Sequence, residues 1–402
     1  MEFELKLDKS NVILSLSIIS FINSLFVWKY GSRIHIGAIL PLSILFTAGL
    51  PFFIYFIQES KFKSGFVEKV FRSKFLLICI PLFIFIAAML FYLRYPQDLI
   101  RVDRYEMIKL FWDNVISNNC AYCPRTEGTN IPGPYPFYFF AAYPFYKVNE
   151  IGFYSLSGMA LFLSTFLFFK YSTQSKNTVL MLILVSPAIW WELLCRSTIF
   201  LNSAMFIAGL MVLNHEFSSK WKRILIAGFV LGLIASTRSI IFVFLGLSAV
   251  HMFRSRIFGR ESVLIWTTAA VVFVITFIPI IMKCKMDFLK YNPFTTQATL
   301  APPFLFLIIS LGSLFFILKG KSPLYSILGY VNFFLVTGYG IKECLKNGFS
   351  EAFYGSTMDI SYFVFSFPFL LFSLLQRSYD SDEVKPEKVE KMEKTRSFAL
   401  SD

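Results

Sequence analysis

The chain has 402 residues, of which 56% are apolar, 19% aromatic and only 16% charged. Soluble domains carry about a quarter charged residues, so this balance, with a mean hydropathy of +0.62, excludes an ordinary water-soluble domain. The net charge of +13 does not call for nucleic acid, because the lysines and arginines that orient membrane helices give the same excess.

Taken in chain order, the sequence predicts an all-α, polytopic transmembrane protein. Met1–Ser10 alternates acid and base, and no small-residue cleavage pattern follows the first apolar run, so that run is expected to be a retained helix. Crossing a bilayer takes about 20 apolar residues of helix, which places the first spans at Asn11–Trp28, Ile36–Ile57 and Lys74–Leu93. Lys61, Lys63, Lys69 and Arg72 between the second and third put that loop in the cytoplasm. The amino terminus is then inside and residues 94–150 are outside. Further spans are expected at Ile151–Phe169, Thr178–Leu194 and Ser197–Leu213.

Ile224–Phe253 is too long for one upright crossing and carries Ser236-Thr-Arg238-Ser239 in its middle. If it crossed once, Arg254, Arg256 and Arg260 would lie outside. If it enters and returns, they lie inside with Lys220, Lys222 and Arg223, as the charge rule requires. Ser262–Ile281, Pro302–Leu318, Pro323–Gly340 and Thr357–Gln376 complete about twelve membrane segments. The chain therefore divides into amino-terminal helices (1–93), an outer loop after segment three (94–150), a helical core (151–376) and a charged tail (377–402). The tail is expected to be disordered or loosely helical and, like the amino terminus, cytoplasmic. Abundant Phe and Lys, and no glycosylation-heavy loops, point to a bacterial inner membrane.

Chemistry is expected on the outer loop, the one long polar stretch. Leu99, Val102, Tyr105, Ile108 and Phe111 recur at helical spacing and predict a short helix on the membrane surface, holding Asp103 near the headgroups, with Asp98 close by. Ile131-Pro-Gly-Pro-Tyr-Pro136 cannot be regular helix and reads as a rigid connector that fixes Tyr135. Cys120 and Cys123 form a CxxC pair without a second pair, and the chain has only three histidines, so zinc is poorly supported. A disulfide is expected instead, closing within the pair or reaching Cys284 or Cys344. Two arginines stand out. Arg238 interrupts an apolar stretch, where a charge is costly unless paired or solvated. Arg196 follows Glu192 at the spacing of a helical ion pair. No P-loop, dinucleotide fingerprint or zinc-protease motif is present.

These features in this order resemble the GT-C superfamily of polytopic glycosyltransferases, and within it the polyprenol-phosphate-mannose-dependent enzymes. The likeness rests on Asp103-Arg-Tyr105, on Asn118–Tyr122, on Tyr135-Pro136 and on Gly228…Gly232-Leu-Ile-Ala-Ser-Thr-Arg238. It implies transfer of mannose or a similar sugar from a polyprenyl-phosphate donor to a lipid or glycan acceptor at the outer face. Asp103 is then the candidate base, with Asp98 in reserve. Arg238 and Arg196 hold the phosphate, and Tyr105, Tyr122 and Tyr135 line the sugar. No cofactor is expected; Asp98, Asp103 and Glu106 offer at most a weak site for a divalent metal. The partners are the lipid-linked donor, the acceptor and membrane lipids. Two alternatives fit the same hydropathy: a transporter or glycan flippase, and an O-antigen-type polymerase or ligase.

Overall fold

A computed structural model describes residues 9–33, 39–59, 65–97, 103–126, 130–167, 171–254, 259–298, 303–320, 323–355 and 357–376. Asp98 and the tail 377–402 lie outside the described residues, so the expectations for them are not met or refused by the structure. All regular structure among the described residues is helical. The first third holds α1 (Lys9–Arg33), α2 (Ile39–Glu59), α3 (Gly65–Phe71), α4 (Leu76–Arg94), α5 (Asp103–Ile116) and α6 (Pro136–Lys147). The middle holds α7 (Gly152–Leu167), α8 (Thr173–Leu184), α9 (Pro187–Leu194), α10 (Ile199–Asn214), α11 (Lys220–Ala235) and α12 (Ile240–Arg254). The remainder is α13 (Arg260–Cys284), the short α14 (Asp287–Lys290) and α15 (Pro293–Ala298), α16 (Pro303–Lys319), α17 (Leu324–Asn347), α18 (Phe349–Tyr354), a 3-10 helix (Ile360–Phe365) and α19 (Ser366–Gln376).

Five of these, α1, α2, α4, α13 and α17, are long and apolar enough to cross a membrane, and up to seven if two bent pairs each count as one span. The pairs are α6 with α7, bent by 117°, and α8 with α9, bent by 65°. Four further apolar stretches, Ile199–Asn214, Ile240–Arg254, Phe304–Lys319 and Ile360–Leu375, are shorter. Large apolar side chains stand bare on the long helices: Leu45 is 70% exposed, Ile78 68% and Leu93 80%. Water would penalise such a surface and lipid does not, so these faces are compatible with a membrane protein.

The helices run back and forth between two ends. Along α11 and α13 the contacts advance together: Arg223 pairs with Glu261 at 3.3 Å, Gly228 abuts Thr268, Gly232 abuts Val272, and Ser236 shares a 2.6 Å hydrogen bond with Thr276. The two helices are therefore parallel, and α12 between them must run back. The approach depends on the Gly228-x-x-x-Gly232 face. A Cβ on Gly232 would stand 2.5 Å from the Ala269 carbonyl oxygen, and small residues at this spacing let backbones meet without a wedge.

The reading of Ile224–Phe253 as two helices that enter and return agrees with this geometry. Lys220, Arg223, Arg254, Arg260 and Lys319 all fall at one end, where the Arg254 guanidinium also reaches the Ile317 carbonyl. Cysteines placed at Ser219 and Gly259 are accordingly expected to react with an impermeant maleimide from the same side, and one at Asn119 from the other. Labelling of 219 and 259 from opposite sides would contradict the parallel pair.

Two expectations need correction. Thr178–Leu194 was expected as one span, but it breaks at Val185–Ser186. The break is stable because α1 supplies a polar side chain to it: Asn23 Oδ1 accepts from the Ser186 hydroxyl at 2.7 Å and from the Ala188 amide at 3.4 Å. A broken helix inside apolar surroundings needs such partners for its freed groups. The helix expected on the membrane surface does form, as α5, but its apolar face turns into protein. Ile108 and Phe111 are buried, and the Phe111 ring stacks on Phe139 of α6 with centroids 3.9 Å apart. Phe111 and Phe139 belong to a second apolar core, separate from the main one, that includes Tyr122, Tyr135 and Phe277.

Candidate functional site

The end of the molecule opposite the basic residues collects α5, α6, the α9–α10 junction, the turn between α11 and α12, and the start of the 3-10 helix. Its foundation is the proline run. With three prolines, residues 131–136 cannot form a helix, and their amides turn to a neighbouring segment. Tyr135 N–H donates to the Thr237 carbonyl and Phe137 N–H to the Ser236 carbonyl, both at 2.9 Å. Gln297 of α15 bridges the two strips, donating to the Gly133 carbonyl at 2.5 Å and accepting from the Ser239 amide at 2.6 Å. The expected rigid connector is thus fastened to the polar turn that carries Arg238.

Arg238 is 6% exposed. Its guanidinium lies 5.5 Å from the centre of the Tyr138 ring and 5.8 Å from that of Phe365. It makes no ion pair or hydrogen bond among the described residues, and its Nε is buried without a partner. Stacking on rings recovers about 0.5–2 kcal/mol per face, less than the several kcal/mol that an uncompensated buried charge costs.

Arg196 is arranged differently. It sits at φ 53° between α9 and α10, and this turn carries its side chain away from Glu192, the partner that helical spacing suggested. It pairs instead with Glu150, Nε to Oε1 at 2.7 Å and Nη2 to Oε2 at 3.1 Å, donates to the Tyr95 carbonyl and lies over the Tyr92 ring. Its charge is already met. Glu192 is fully buried and caps the next helix, accepting from Phe200 N–H at 2.8 Å. An acidic group there complements the positive end of α10.

A dense polar cluster among the described residues was not anticipated from the sequence. Arg104, the second residue of α5, is 4% exposed. It donates to Ser197, to Ser361 and to Asp359 Oδ2, the last at 2.5 Å. Asp359 also accepts from the Ser361 amide at 3.0 Å. Tyr138, beside Arg238, shares a 2.5 Å hydrogen bond with Thr198. One local sign was available: Asp359 two residues before Ser361 is a helix-start pattern, and it caps the 3-10 helix.

The tyrosines expected to line a sugar site are placed otherwise. Tyr122 is fully buried, and its hydroxyl donates to the Pro134 carbonyl at 2.8 Å. Tyr135 is 2% exposed, with its ring among Phe242, Phe273, Phe277 and Phe294. In a chain with 50 Phe, both rings are core. Tyr105 is half-buried against the same core. Asp103 supplies the first residue of α5, directly before Arg104. No cluster of three metal-ligating side chains forms among the described residues.

The disulfide joins Cys120 to Cys284, and Cys123 is free. Of the closures left open for Cys120, within the CxxC pair or to Cys284 or Cys344, the structure takes Cys284. Residues 120–123 close a turn on themselves, Cys123 N–H to the Cys120 carbonyl at 3.3 Å, while the end of α13 brings Cys284 to a Cα separation of 4.4 Å from Cys120, within the range a disulfide spans. Burial, then Asp287, push the Cys123 thiol pKa up. Non-reducing peptide mapping is expected to link the 120 and 284 peptides and to find Cys123 alkylated. Cys284→Ser is expected to cost about 2–4 kcal/mol, the usual worth of such a bridge. A 120–123 link in the mature protein would contradict the assignment.

Comparisons with protein-family models, with curated proteins and with solved structures return no match for this chain.

Proposed function

We propose that this chain is a membrane enzyme that transfers a sugar from a polyprenyl-phosphate donor to a lipid or glycan acceptor, with its active site at the end bearing Arg238. In this reading the twelve predicted segments all lie in the bilayer, the basic end faces the cytoplasm and the α5–α6 end faces outward. The observation that carries it is the unpaired guanidinium of Arg238. A buried arginine with two aromatic faces and no protein anion suits a phosphate, for which its planar donors are well shaped.

The reaction proposed is a single displacement. The acceptor hydroxyl oxygen bonds to the anomeric carbon as the bond from that carbon to the phosphate oxygen breaks. The electron pair stays on the phosphate, where Arg238 stabilises the developing charge. The hydroxyl proton goes to a carboxylate, for which Asp103 is the first candidate and Asp98 the reserve. Since Arg196 is occupied by Glu150, the phosphate falls to Arg238.

A transporter is the second reading, favoured by the break between α8 and α9, because broken helices often line substrate sites. Surface glycans separate the two. Cells lacking the protein are expected to lose a sugar that wild type restores and that Asp103→Asn, present in the membrane at normal level, does not. Full rescue by Asp103→Asn would move the base to another carboxylate. An unchanged glycan profile in the deletion strain would sink the transferase reading and leave transport.

A further inference from the structure

The cluster around Arg104 has the makings of a carbohydrate subsite. Arg104 is sealed, with its side chain 5% exposed, whereas the Asp359 side chain it pairs with is 39% exposed. The guanidinium lies 5.8 Å from the ring centres of both Trp191 and Tyr362. Tyr30 stacks on Trp191 with centroids 5.2 Å apart and planes 25° from parallel. All three rings are half-buried. A partly open carboxylate and two half-buried rings, Trp191 and Tyr362, are therefore gathered about one buried cation, with Tyr30 stacked behind Trp191.

The charges indicate what such a place takes. Arg104 neutralises Asp359, and the Lys29 ammonium donates to the adjacent Met358 carbonyl at 2.7 Å, so a free cation gains little there. The carboxylate remains a strong hydrogen-bond acceptor. It offers about four acceptor directions, and the Arg104 guanidinium, the Ser361 amide and the Ser361 hydroxyl occupy three. Tyr30 stacks on Trp191 and Phe365 lies parallel to Tyr362, so it is the remaining exposed apolar surface of these half-buried rings that meets the C–H face of a pyranose, while the carboxylate accepts from its hydroxyls. We infer that Asp359, Trp191 and Tyr362 form a subsite for a neutral hexopyranose.

This inference deepens the transferase reading and rests on it for its role. The 3-10 helix that begins at Asp359 also carries Phe365, on which Arg238 stacks, so the sugar subsite and the phosphate-holding arginine share one element. Asp359 and Ser361 fix Arg104, and Arg104 in turn fixes the carboxylate.

The test is binding of methyl hexopyranosides to the purified full chain, followed by saturation-transfer NMR and needing no turnover. Wild type is expected to bind at least one methyl hexoside saturably, with saturation reaching the ring C–H protons from aromatic protein protons. Asp359→Asn is expected to weaken binding by at least about tenfold, as loss of a charged hydrogen-bond partner does. Tyr362→Leu, which leaves the ion pair in place, is expected to weaken it comparably; cooperative melting confirms that both variants are folded. Absence of saturable binding by folded wild type, or unchanged binding in both folded variants, overturns the subsite. Altered glycans in the deletion strain without hexoside binding would keep the transferase and remove the subsite. Hexoside binding with unaltered glycans would do the reverse.

Discussion

Arg238→Met is expected to melt at or above the wild-type temperature while losing all response to a short isoprenyl phosphate. The two effects have opposite signs because one feature causes both. The residue is 6% exposed, its guanidinium lies over Tyr138 and Phe365, and its Nε is buried without a partner, so the protein by itself offers this charge no anion among the described residues. Replacing a buried charge by an apolar side chain of similar length is often neutral or stabilising by about 1–4 kcal/mol. Bound phosphate reverses the balance in wild type. At a ligand concentration 100 times its dissociation constant, binding stabilises the folded state by about 2.7 kcal/mol. The measurement is thermal melting of both proteins with and without the isoprenyl phosphate, together with glycan rescue in cells. A variant that melts several degrees lower yet keeps the full ligand shift would make Arg238 a structural cation and remove the phosphate assignment.

The largest loss of stability is expected at the opposite charge balance. The Arg196 side chain is fully buried, with Glu150 as its only anionic partner among the described residues. Glu150→Leu would strand that guanidinium and is expected to cost about 3–5 kcal/mol, the usual result of removing one partner of a buried pair. Adding Arg196→Met should recover most of it, since the stranded charge goes with the arginine. The recovery should be incomplete, because the donation to the Tyr95 carbonyl is lost. Denaturation of the two single variants and the double variant gives the coupling directly. A coupling below about 1 kcal/mol, the size of a surface pair, would show that the pair is not sealed from solvent.

The contrast between these two arginines shows what a sequence of this kind reveals. The apolar runs were legible because a helix that crosses a membrane must be apolar for about 20 residues. The turn at Ser236–Ser239 was legible because a charge inside such a run has few explanations. What each arginine touches was not legible. Glu150 and Arg196 meet because α7 and α9 bring their loop-end termini together, a relation between helices and not between neighbours in sequence. Arg104 and Asp359 are 255 residues apart, and nothing local to either announces the other. Tyr122 and Tyr135 were misjudged for a related reason. A tyrosine near prolines in a polar loop reads as accessible, yet this loop has a core of its own. The nearest cysteine in sequence was likewise a poor guide to the nearest in space.

The bridge between Cys120 and Cys284 bears on how the protein is made. On the proposed topology, synthesis delivers Cys120 and Cys123 to the outer compartment well before Cys284. The two partners are 164 residues apart, which at about 5–20 residues per second is a delay of roughly 8–33 s. Throughout that interval Cys123 is the thiol nearest to Cys120 on the same side. A nascent Cys120–Cys123 bond is therefore the expected first product of an oxidising compartment, and the mature bond is its successor by thiol exchange. On that topology biogenesis of this chain is expected to need a disulfide isomerase as well as an oxidant, and Cys123→Ser is expected to relieve that need.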